Sequence, residues 1–169
     1  MTPLSHAVAA PVDHAPRHAD ELLRMSAVQL DALFQEAPAG EIPNGDAAGT
    51  IVFVPGSPLA KPAARVLGAV FWRGKVFRPA SRDLKNKISP LGIPAIRAEV
   101  YAGESWLDGR PCVVLDYSKS SKVAGWIRDE IREVSPGLYL GLVWGVGRIF
   151  GGRKLVLRFA LTSPAADGA

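Results

Sequence analysis

The 169-residue chain has one cysteine, Cys112, and no histidine after His18. A lone cysteine cannot form an internal disulfide, so we expect a reducing, cytoplasmic setting. A histidine-dependent active site in the body of the protein is excluded unless the N-terminal segment folds back onto it. No apolar run approaches the roughly 18 residues of a membrane span. The N-terminus lacks the apolar stretch of a secretory signal, and we expect none.

The chain also lacks a strong excess of charge. Charged residues make up 21% and hydrophobic residues 48% of the sequence, which is typical of a globular protein with a real core. A net charge of +4 is too small by itself to indicate nucleic-acid binding. The length fits one domain. We predict a mobile N-terminal tail over 1–19, a single barrel domain over 20–162 and a C-terminal tail over 163–169.

The three histidines do not form a convincing metal site. His14 and His18 have the i, i+4 spacing with which two histidines on a helix can share a metal. Pro16 lies between them and disfavours a helix there. We therefore expect a solvated tail, with no metal and no cofactor.

Two helices are predicted before the main β region. Ser26 is a good N-cap, and the apolar residues that follow it recur with helical spacing up to Glu36. A second apolar face recurs over 59–71, preceded by Ser57 as a cap and Pro58 at the first helical position. The sequence thus predicts helices over 26–36 and 59–71.

The rest of the chain is dominated by short runs with strand periodicity, separated by turn residues. Sequential strands with short turns favour an antiparallel meander, and seven or eight such strands often close into a barrel because closure removes exposed edges. We predict a mainly β fold, a lipocalin-like antiparallel β-barrel with two N-terminal helices. The predicted strands are 50–54, 71–77, 93–101, 112–117, 126–134, 138–144 and 154–161.

Ionisable residues lie within the central strands, between Asp108 and Trp144. Asp116 has Leu115 and Tyr117 as neighbours, and it can form a cross-strand ion pair if Arg128 or Arg132 lies opposite it. A buried carboxylate without such a partner would have a raised pKa and could act as an acid or base. A salt-bridge ladder on the wet face of the sheet, a ligand-orienting site and a catalytic site remain alternatives.

Asp129 raises the same question on the next strand. It shares a predicted strand face with Ile127 and Ile131, whereas Arg128 and Glu130 lie on the opposite face. An acid that shares a strand face with apolar residues is a second candidate for acid–base chemistry. The pattern does not say which of the two faces lies inside the barrel.

Short motifs resemble known barrel proteins. The run Trp72-Arg73-Gly74-Lys75-Val76-Phe77 is similar to the W-x-G-K-x-F element of GXWXG-type proteins. Tyr101 and Asp108-Gly109-Arg110-Pro111 are similar to the Y-D-G-x-P segment of their companion domain, although here the tyrosine is not adjacent to the aspartate and no histidine follows Asp116. Together the motifs, over residues 49 to 162, resemble lipocalin-like (calycin) barrels. This resemblance implies a ligand-binding barrel and no particular activity.

The function that these observations favour is binding of a small hydrophobic or amphipathic molecule, an anionic one included, inside the barrel. The alternative is a cofactor-independent enzyme, such as an isomerase, cyclase or hydratase, that uses Asp116 or Asp129 as acid or base. No catalytic residue is assigned. The residues expected to contact a ligand combine aromatic walls with polar orienting groups. They are Trp72, Tyr101, Asp116, Trp126, Arg128 and Tyr139.

The positive charge is concentrated between Lys61 and Lys87, where Asp83 is the only acid among many Lys and Arg residues. An amphipathic helix with basic residues off its apolar face could contact an anionic membrane through 59–87, or attract an anionic ligand. The plainer alternative is a core-packed helix followed by a solvated basic loop. Nucleic acid is not expected as a partner, and the oligomeric state is left open.

Overall fold

The computed structural model describes residues 15–52, 72–88, 93–122 and 124–164. Eight antiparallel strands follow one another around a closed barrel, and β1 pairs with β8 to complete it. This confirms the predicted mainly β, antiparallel barrel, and two helices lie near the N-terminus. The strands are β1 (Gly45–Val52), β2 (Trp72–Arg78), β3 (Asp83–Ile88), β4 (Ile93–Glu104), β5 (Pro111–Asp116), β6 (Ile127–Ser135), β7 (Leu138–Gly147) and β8 (Gly152–Thr162). The helices are α1 (Ala19–Leu22) and α2 (Ala27–Glu36), with 3₁₀ turns at Pro79–Ser81 and Arg148–Phe150.

The barrel wall has apolar residues on both faces, because the helices cover part of the outside. On β5, Val113 and Leu115 belong to the inner cluster, whereas Cys112 and Val114 belong to an outer cluster under the helices. This alternation follows from the two-residue period of a strand. The inner cluster fills much of the barrel.

Helix α2 forms where the sequence predicts it. Ser26 accepts a hydrogen bond from the Gln29 backbone nitrogen at 3.3 Å, and the Gln29 side chain accepts one from the Ser26 nitrogen at 2.9 Å. This capping box satisfies the free N–H groups of the first turn. Leu30 and Phe34, spaced one turn apart, are fully buried against the outer wall of the barrel. The helix therefore packs outside the barrel.

Strand β3 corrects the prediction of a solvated basic loop. The segment after β2 turns through Pro79–Ser81 and returns as Asp83–Ile88, paired with both β2 and β4. Leu84 belongs to the inner cluster, and the alternate positions Lys85 and Lys87 are half-buried on the other face. Strand β3 was not predicted from the sequence because its outward-facing residues are basic and only its inward-facing residues need to be apolar. The predicted helix over 59–71 lies outside the described residues.

Gly74 forms a bulge inside β2. The register with β3 shifts between Trp72 and Gly74, and Gly74 has φ of 123°. A Cβ atom there would lie 2.1 Å from the carbonyl oxygen of Ala47, so only glycine fits. The bulge inserts one residue into the alternation. As a result Trp72 and Lys75 both face the barrel interior.

The N-terminal boundary of the domain stays a prediction. Helix α1 begins at Ala19, and the side chain of Ser135 donates a hydrogen bond to the carbonyl of Pro16. The divisions at 19/20 and 162/163 are untested. None of the helices in the described part of the chain is long and apolar enough to cross a bilayer.

Candidate ligand-binding cavity

A cavity of about 100 Å³ lies inside the barrel, toward the end where β1 finishes and β2 begins. Its mouth is formed by half-buried apolar side chains, and its floor by buried side chains that include four polar ones. The mouth residues are Ile51, Trp72, Ile88, Trp126 and Leu157. The floor residues include Lys75, Asn86, Tyr117, Asp129 and Phe159. Mostly apolar walls with a few convergent polar groups are typical of small-molecule sites.

Lys75 is the centre of the polar floor. Its side chain is buried from solvent, and its Nζ lies 2.9 Å from Asp129 Oδ2, 2.9 Å from Asn86 Oδ1 and 2.8 Å from Tyr117 Oη. These three acceptors use all three protons of an ammonium group. Lys75 therefore has no remaining donor for a ligand while these bonds hold. We call Lys75, Asn86, Tyr117 and Asp129 the interior quartet.

Asn86 and Tyr117 are equally saturated. Asn86 Oδ1 accepts a second hydrogen bond from Trp72 Nε1 at 3.1 Å, and Asn86 Nδ2 donates to Tyr117 Oη at 2.9 Å and to the Ile96 carbonyl at 3.1 Å. The Tyr117 hydroxyl then donates to Asp129 Oδ2 at 3.1 Å. Every polar proton and lone pair of these two side chains that the geometry allows is engaged.

Asp129 is the exception in the interior quartet. Its Oδ2 accepts from both Lys75 and Tyr117. Its Oδ1 is buried and finds no hydrogen-bond donor among the described residues. A buried carboxylate oxygen without a partner is costly. Because Asp129 also lines the cavity, this oxygen indicates a place for a donor from outside the chain.

Burial sets the protonation of the floor. Burial lowers the pKa of Lys75 from its usual 10.5, although the charge of Asp129 and its hydrogen bond oppose this shift. Burial also raises the pKa of Tyr117 well above 10, with a further contribution from the negative charge of Asp129. Tyr117 consequently remains a neutral hydrogen-bond donor at physiological pH.

Aromatic rings surround the Lys75 ammonium. The nitrogen lies 5.4 Å from the centroid of Trp72, 5.5 Å from that of Tyr117 and 5.1 Å from that of Phe159. Ring faces at such distances attract a cation and partly replace its lost hydration. The charge of Lys75 is thus held by Asp129 together with the cavity walls.

Two glycines make room for the aromatic walls. A Cβ atom on Gly49 would lie 2.4 Å from the Trp72 ring, and a Cβ atom on Gly141 would lie 2.2 Å from the Phe159 ring. The two rings meet edge to face with centroids 5.5 Å apart. Glycine at these inward positions therefore allows the bulky side chains to fill the barrel beside the cavity.

The structure separates the six residues predicted to bind a ligand. Trp72 and Trp126 line the cavity. Tyr139 faces the barrel interior near the other end, where its hydroxyl donates to the Glu41 carbonyl at 3.1 Å. It is not among the described cavity-lining residues. Tyr101, Asp116 and Arg128 project from the outer face of the wall.

Asp116 is half-buried on the outer face of the barrel and does not line the cavity. Asp116 lies opposite Arg128 in the strand register, which is the arrangement that a cross-strand ion pair between them requires. The Arg128 guanidinium, however, lies 3.0 Å from Glu130 Oε1. Tyr101 instead donates to Asp116 at 3.0 Å. Partial burial would raise the pKa of Asp116, but hydrogen bonds from Ser118 and Tyr101 outweigh it and lower the pKa below its usual 3.8. The raised pKa expected of an unpartnered acid does not apply here.

Sequence reasoning missed Lys75 and Asn86 as site residues. Lys75 was grouped with the solvated basic residues because the bulge at Gly74 breaks the simple alternation from Trp72. Asn86 was missed together with β3. The pattern Leu84, Asn86, Ile88 was the available signal, because one polar residue among inward-facing apolar positions requires a buried partner.

Neither thiol nor metal chemistry is indicated in the described residues. Burial, with a smaller effect of the negative charge of Glu130, raises the pKa of Cys112 to about 12. A thiol with such a pKa is unreactive at neutral pH. No group of three or more His, Cys, Asp or Glu residues in the described part of the chain could hold a metal ion.

No protein-family model and no curated protein matches the chain. Among solved structures, the crystal structure of a protein from Thermomonospora curvata is similar, with a TM-score of 0.54 and 23% sequence identity. The likeness covers 82% of this chain and 88% of that one. At this identity it shows a shared fold alone. The resemblance to GXWXG-type and lipocalin-like proteins therefore remains a prediction.

Proposed function

We propose that this barrel binds a small hydrophobic or amphipathic molecule in its interior cavity, as lipocalin-like barrels do. The observation that supports the proposal most directly is the buried, unpartnered oxygen of Asp129, a residue that lines the cavity together with Trp72, Trp126 and Phe159. A barrel built only as a scaffold gains nothing from a buried, half-satisfied carboxylate. Filling the interior with apolar side chains would be at least as stable.

The size of the cavity limits what it can hold. Pockets for drug-sized ligands usually measure roughly 300–1,000 Å³, whereas this cavity measures about 100 Å³. It fits a compact molecule or the end of a longer one whose remainder lies at the mouth. The half-buried side chains of Trp72, Ile88 and Trp126 would contact that remainder.

Native mass spectrometry of the protein purified from its own host tests the proposal. We expect a bound small molecule in the wild type and its loss in Ile88→Trp, which narrows the mouth without touching the interior quartet. The matched control is Val28→Trp, because Val28 is 64% exposed on α2. Equal retention of the molecule in both variants would place it elsewhere, and no bound molecule in any sample would count against the proposal.

A cofactor-independent enzyme is the second candidate function, and the position of Asp129 favours it. A buried carboxylate with one open oxygen, whose other oxygen accepts from Lys75 and Tyr117, could remove a proton from a bound molecule. Asp116, the other acid considered, lies on the outer face and cannot reach the cavity. Deuterium incorporation into a carbon-bound position of the co-purified molecule, lost in Asp129→Asn, is the expected sign. No incorporation would leave binding alone.

We also propose that the protein is cytoplasmic and that residues 59–87 contact the surface of a membrane. The concentration of basic residues in this segment supports the membrane contact. Ion pairs already neutralise part of this charge. Arg78 and Arg97 both bind Asp83, at 2.7 Å and 2.6 Å, and Lys87 pairs with Asp46. We expect weak, salt-sensitive co-sedimentation with anionic liposomes. Binding that is independent of both anionic lipid and salt would remove this proposal.

A further inference from the structure

We propose that the cavity selects a neutral, compact, apolar molecule that presents an O–H or N–H donor to Asp129 Oδ1. This inference rests on the proposed binding function and narrows it to one class of ligand. It departs from the expectation that an anionic ligand such as a fatty acid or phosphate ester could occupy the barrel.

The first observation is the hydrogen-bond valence of the interior quartet. Lys75 has all three protons engaged, and Asn86 and Tyr117 have their donors and acceptors engaged with each other and with Trp72, Ile96 and Asp129. Among the polar atoms of the quartet, Asp129 Oδ1 alone is recorded as buried and unpartnered. What the quartet offers a ligand is therefore an acceptor.

The second observation is charge. Lys75 and Asp129 form a buried ion pair at 2.9 Å, so the floor is close to neutral as a unit. An anionic group against Oδ1 would meet a like charge with no free donor to offset it. A cationic group would add an unmatched positive charge close to Lys75, and burying an uncompensated charge is costly. A neutral donor satisfies Oδ1 without disturbing the balance.

The third observation is the nature of the walls. Apart from the interior quartet, the described lining consists of apolar and aromatic side chains, among them Trp72, Trp126 and Phe159. An apolar body is favoured there by burial of its surface. A donor-bearing ligand would supply the hydrogen bond that Oδ1 lacks among the described residues.

Matched ring compounds test the inference. Pyrrole offers an N–H donor and no good acceptor, furan offers an acceptor and no donor, and thiophene offers neither, while all three have nearly the same shape. Binding is followed by NMR titration of amide chemical shifts of Asp129, Trp72 and Trp126 in the intact protein. We expect pyrrole to bind about tenfold more tightly than furan or thiophene, because it makes a hydrogen bond to a charged group.

The Asp129→Asn variant gives a second, internal comparison. Lys75 and Tyr117 both donate to Oδ2, so we expect the amide oxygen to take that position and the amide NH₂ to take the position of Oδ1. The preference for pyrrole over furan is expected to disappear or invert in the variant. The comparison uses a ratio of affinities within one protein, and circular dichroism checks that the variant is folded.

Three outcomes are distinguishable. A preference for pyrrole that is lost in Asp129→Asn supports the inference. Equal affinities of the wild type for pyrrole, furan and thiophene would overturn the inference but not the proposed binding function. A preference for pyrrole that persists in Asp129→Asn would have the same consequence. If none of the three rings shifts the cavity resonances of the wild type, both the inference and the proposed function fail for molecules of this size.

Discussion

Two buried ionic groups lie on opposite faces of strand β6, and they differ in what they leave unsatisfied. Asp129 points into the barrel and joins the interior quartet. Its neighbours Glu130 and Arg132 point outward and are also fully buried, beneath α2 and the segment between β4 and β5. We call Arg128, Glu130, Arg132, Asp108 and Ser105 the outer cluster.

In the outer cluster, Arg132 and Glu130 form several hydrogen bonds to other parts of the chain. Arg132 binds both oxygens of Asp108, at 2.7 Å and 2.8 Å, and donates to the carbonyls of Phe34 at 2.8 Å and Pro111 at 3.0 Å. The Phe34 carbonyl is one of the free C=O groups at the end of α2. Arg132 thus ties the helix to the barrel wall, and its role is structural.

Glu130 is satisfied in the same way. Its two oxygens accept from the Ser105 hydroxyl at 2.5 Å and from the Trp106 backbone nitrogen at 2.8 Å, and Arg128 provides the opposite charge. The comparison with Asp129 shows that buried charge alone does not mark a ligand site. Each group has a buried polar atom that makes no hydrogen bond among the described residues, Asp129 Oδ1 in the quartet and Arg128 Nη1 in the outer cluster. Arg128 Nη1 lies 3.0 Å from the opposite charge of Glu130 Oε1, whereas Asp129 Oδ1 has no such partner and its residue lines a cavity.

The largest predicted effect on stability comes from a substitution that disrupts the outer cluster. Arg132→Met leaves Asp108 without its cation and several carbonyls without a donor, and we expect the free energy of unfolding to fall by about 3–5 kcal/mol. Urea unfolding measures this loss. Lys119→Met is the matched control, because Lys119 is exposed and 3.7 Å from Glu99, and it should cost less than about 1 kcal/mol. Similar losses in both variants would contradict a structural role for Arg132.

The next largest effect is expected from a substitution that disrupts the interior quartet. Lys75→Met leaves the Asp129 carboxylate buried without a cation, and we expect the free energy of unfolding to fall by about 3 kcal/mol. Adding Asp129→Leu should restore stability to within about 1 kcal/mol of the wild type while abolishing the preference for pyrrole. A double variant as unstable as Lys75→Met would mean that the quartet itself holds the barrel together.

The pH dependence of stability should separate the two groups. Hydrogen bonds from Arg132 hold the pKa of Asp108 below its usual 3.8, so this carboxylate adds stability above pH 3.8 that is lost as the pH falls through the lowered value. The raised pKa of Tyr117 adds stability below pH 10 that is lost as the pH rises through its folded-state value.

Urea unfolding across this pH range provides the measurement. Asp108→Asn should flatten the acid limb of the stability curve, and Tyr117→Phe should reduce the alkaline loss. An acid limb unchanged in Asp108→Asn, or an alkaline limb unchanged in Tyr117→Phe, would contradict the assignment of that limb.

The smallest predicted effect concerns Asp116. Because it lies on the outer face, Asp116→Ala should change the affinity of the cavity for pyrrole less than about twofold, as measured by the same NMR titration. A large loss of affinity would return Asp116 to the site and favour the interpretation made from the sequence.

The outcome for Asp116 shows what strand patterns can and cannot predict. The faces of β5 and β6 followed from their alternation, so Tyr117 and Asp129 were placed correctly relative to their neighbours. Leu115 and Tyr117 do not surround Asp116, because adjacent residues of a strand point to opposite faces. Which face is the inside depends on barrel closure, a long-range property.

Lys75 and Asn86, the other two members of the interior quartet, could not be predicted from a regular strand pattern. Lys75 reaches the interior only because Gly74 adds a bulge, and Asn86 lies on a strand whose outward residues are basic. Neither the unpaired oxygen of Asp129 nor the cavity beside it could be inferred from spacing. Both depend on how residues from β2, β3, β5 and β6 meet inside the barrel.

The most direct test of the central claim compares Asp129 with Glu130, which are adjacent in sequence and face opposite sides of the wall. Carboxyl ¹³C NMR of the wild-type protein can follow both side chains while pyrrole is added. We predict that the Asp129 carboxyl resonance shifts with saturation and the Glu130 resonance does not move. Movement of Glu130 alone, or of neither resonance while pyrrole binds, would contradict the claim that the open oxygen of Asp129 is the ligand-recognition atom.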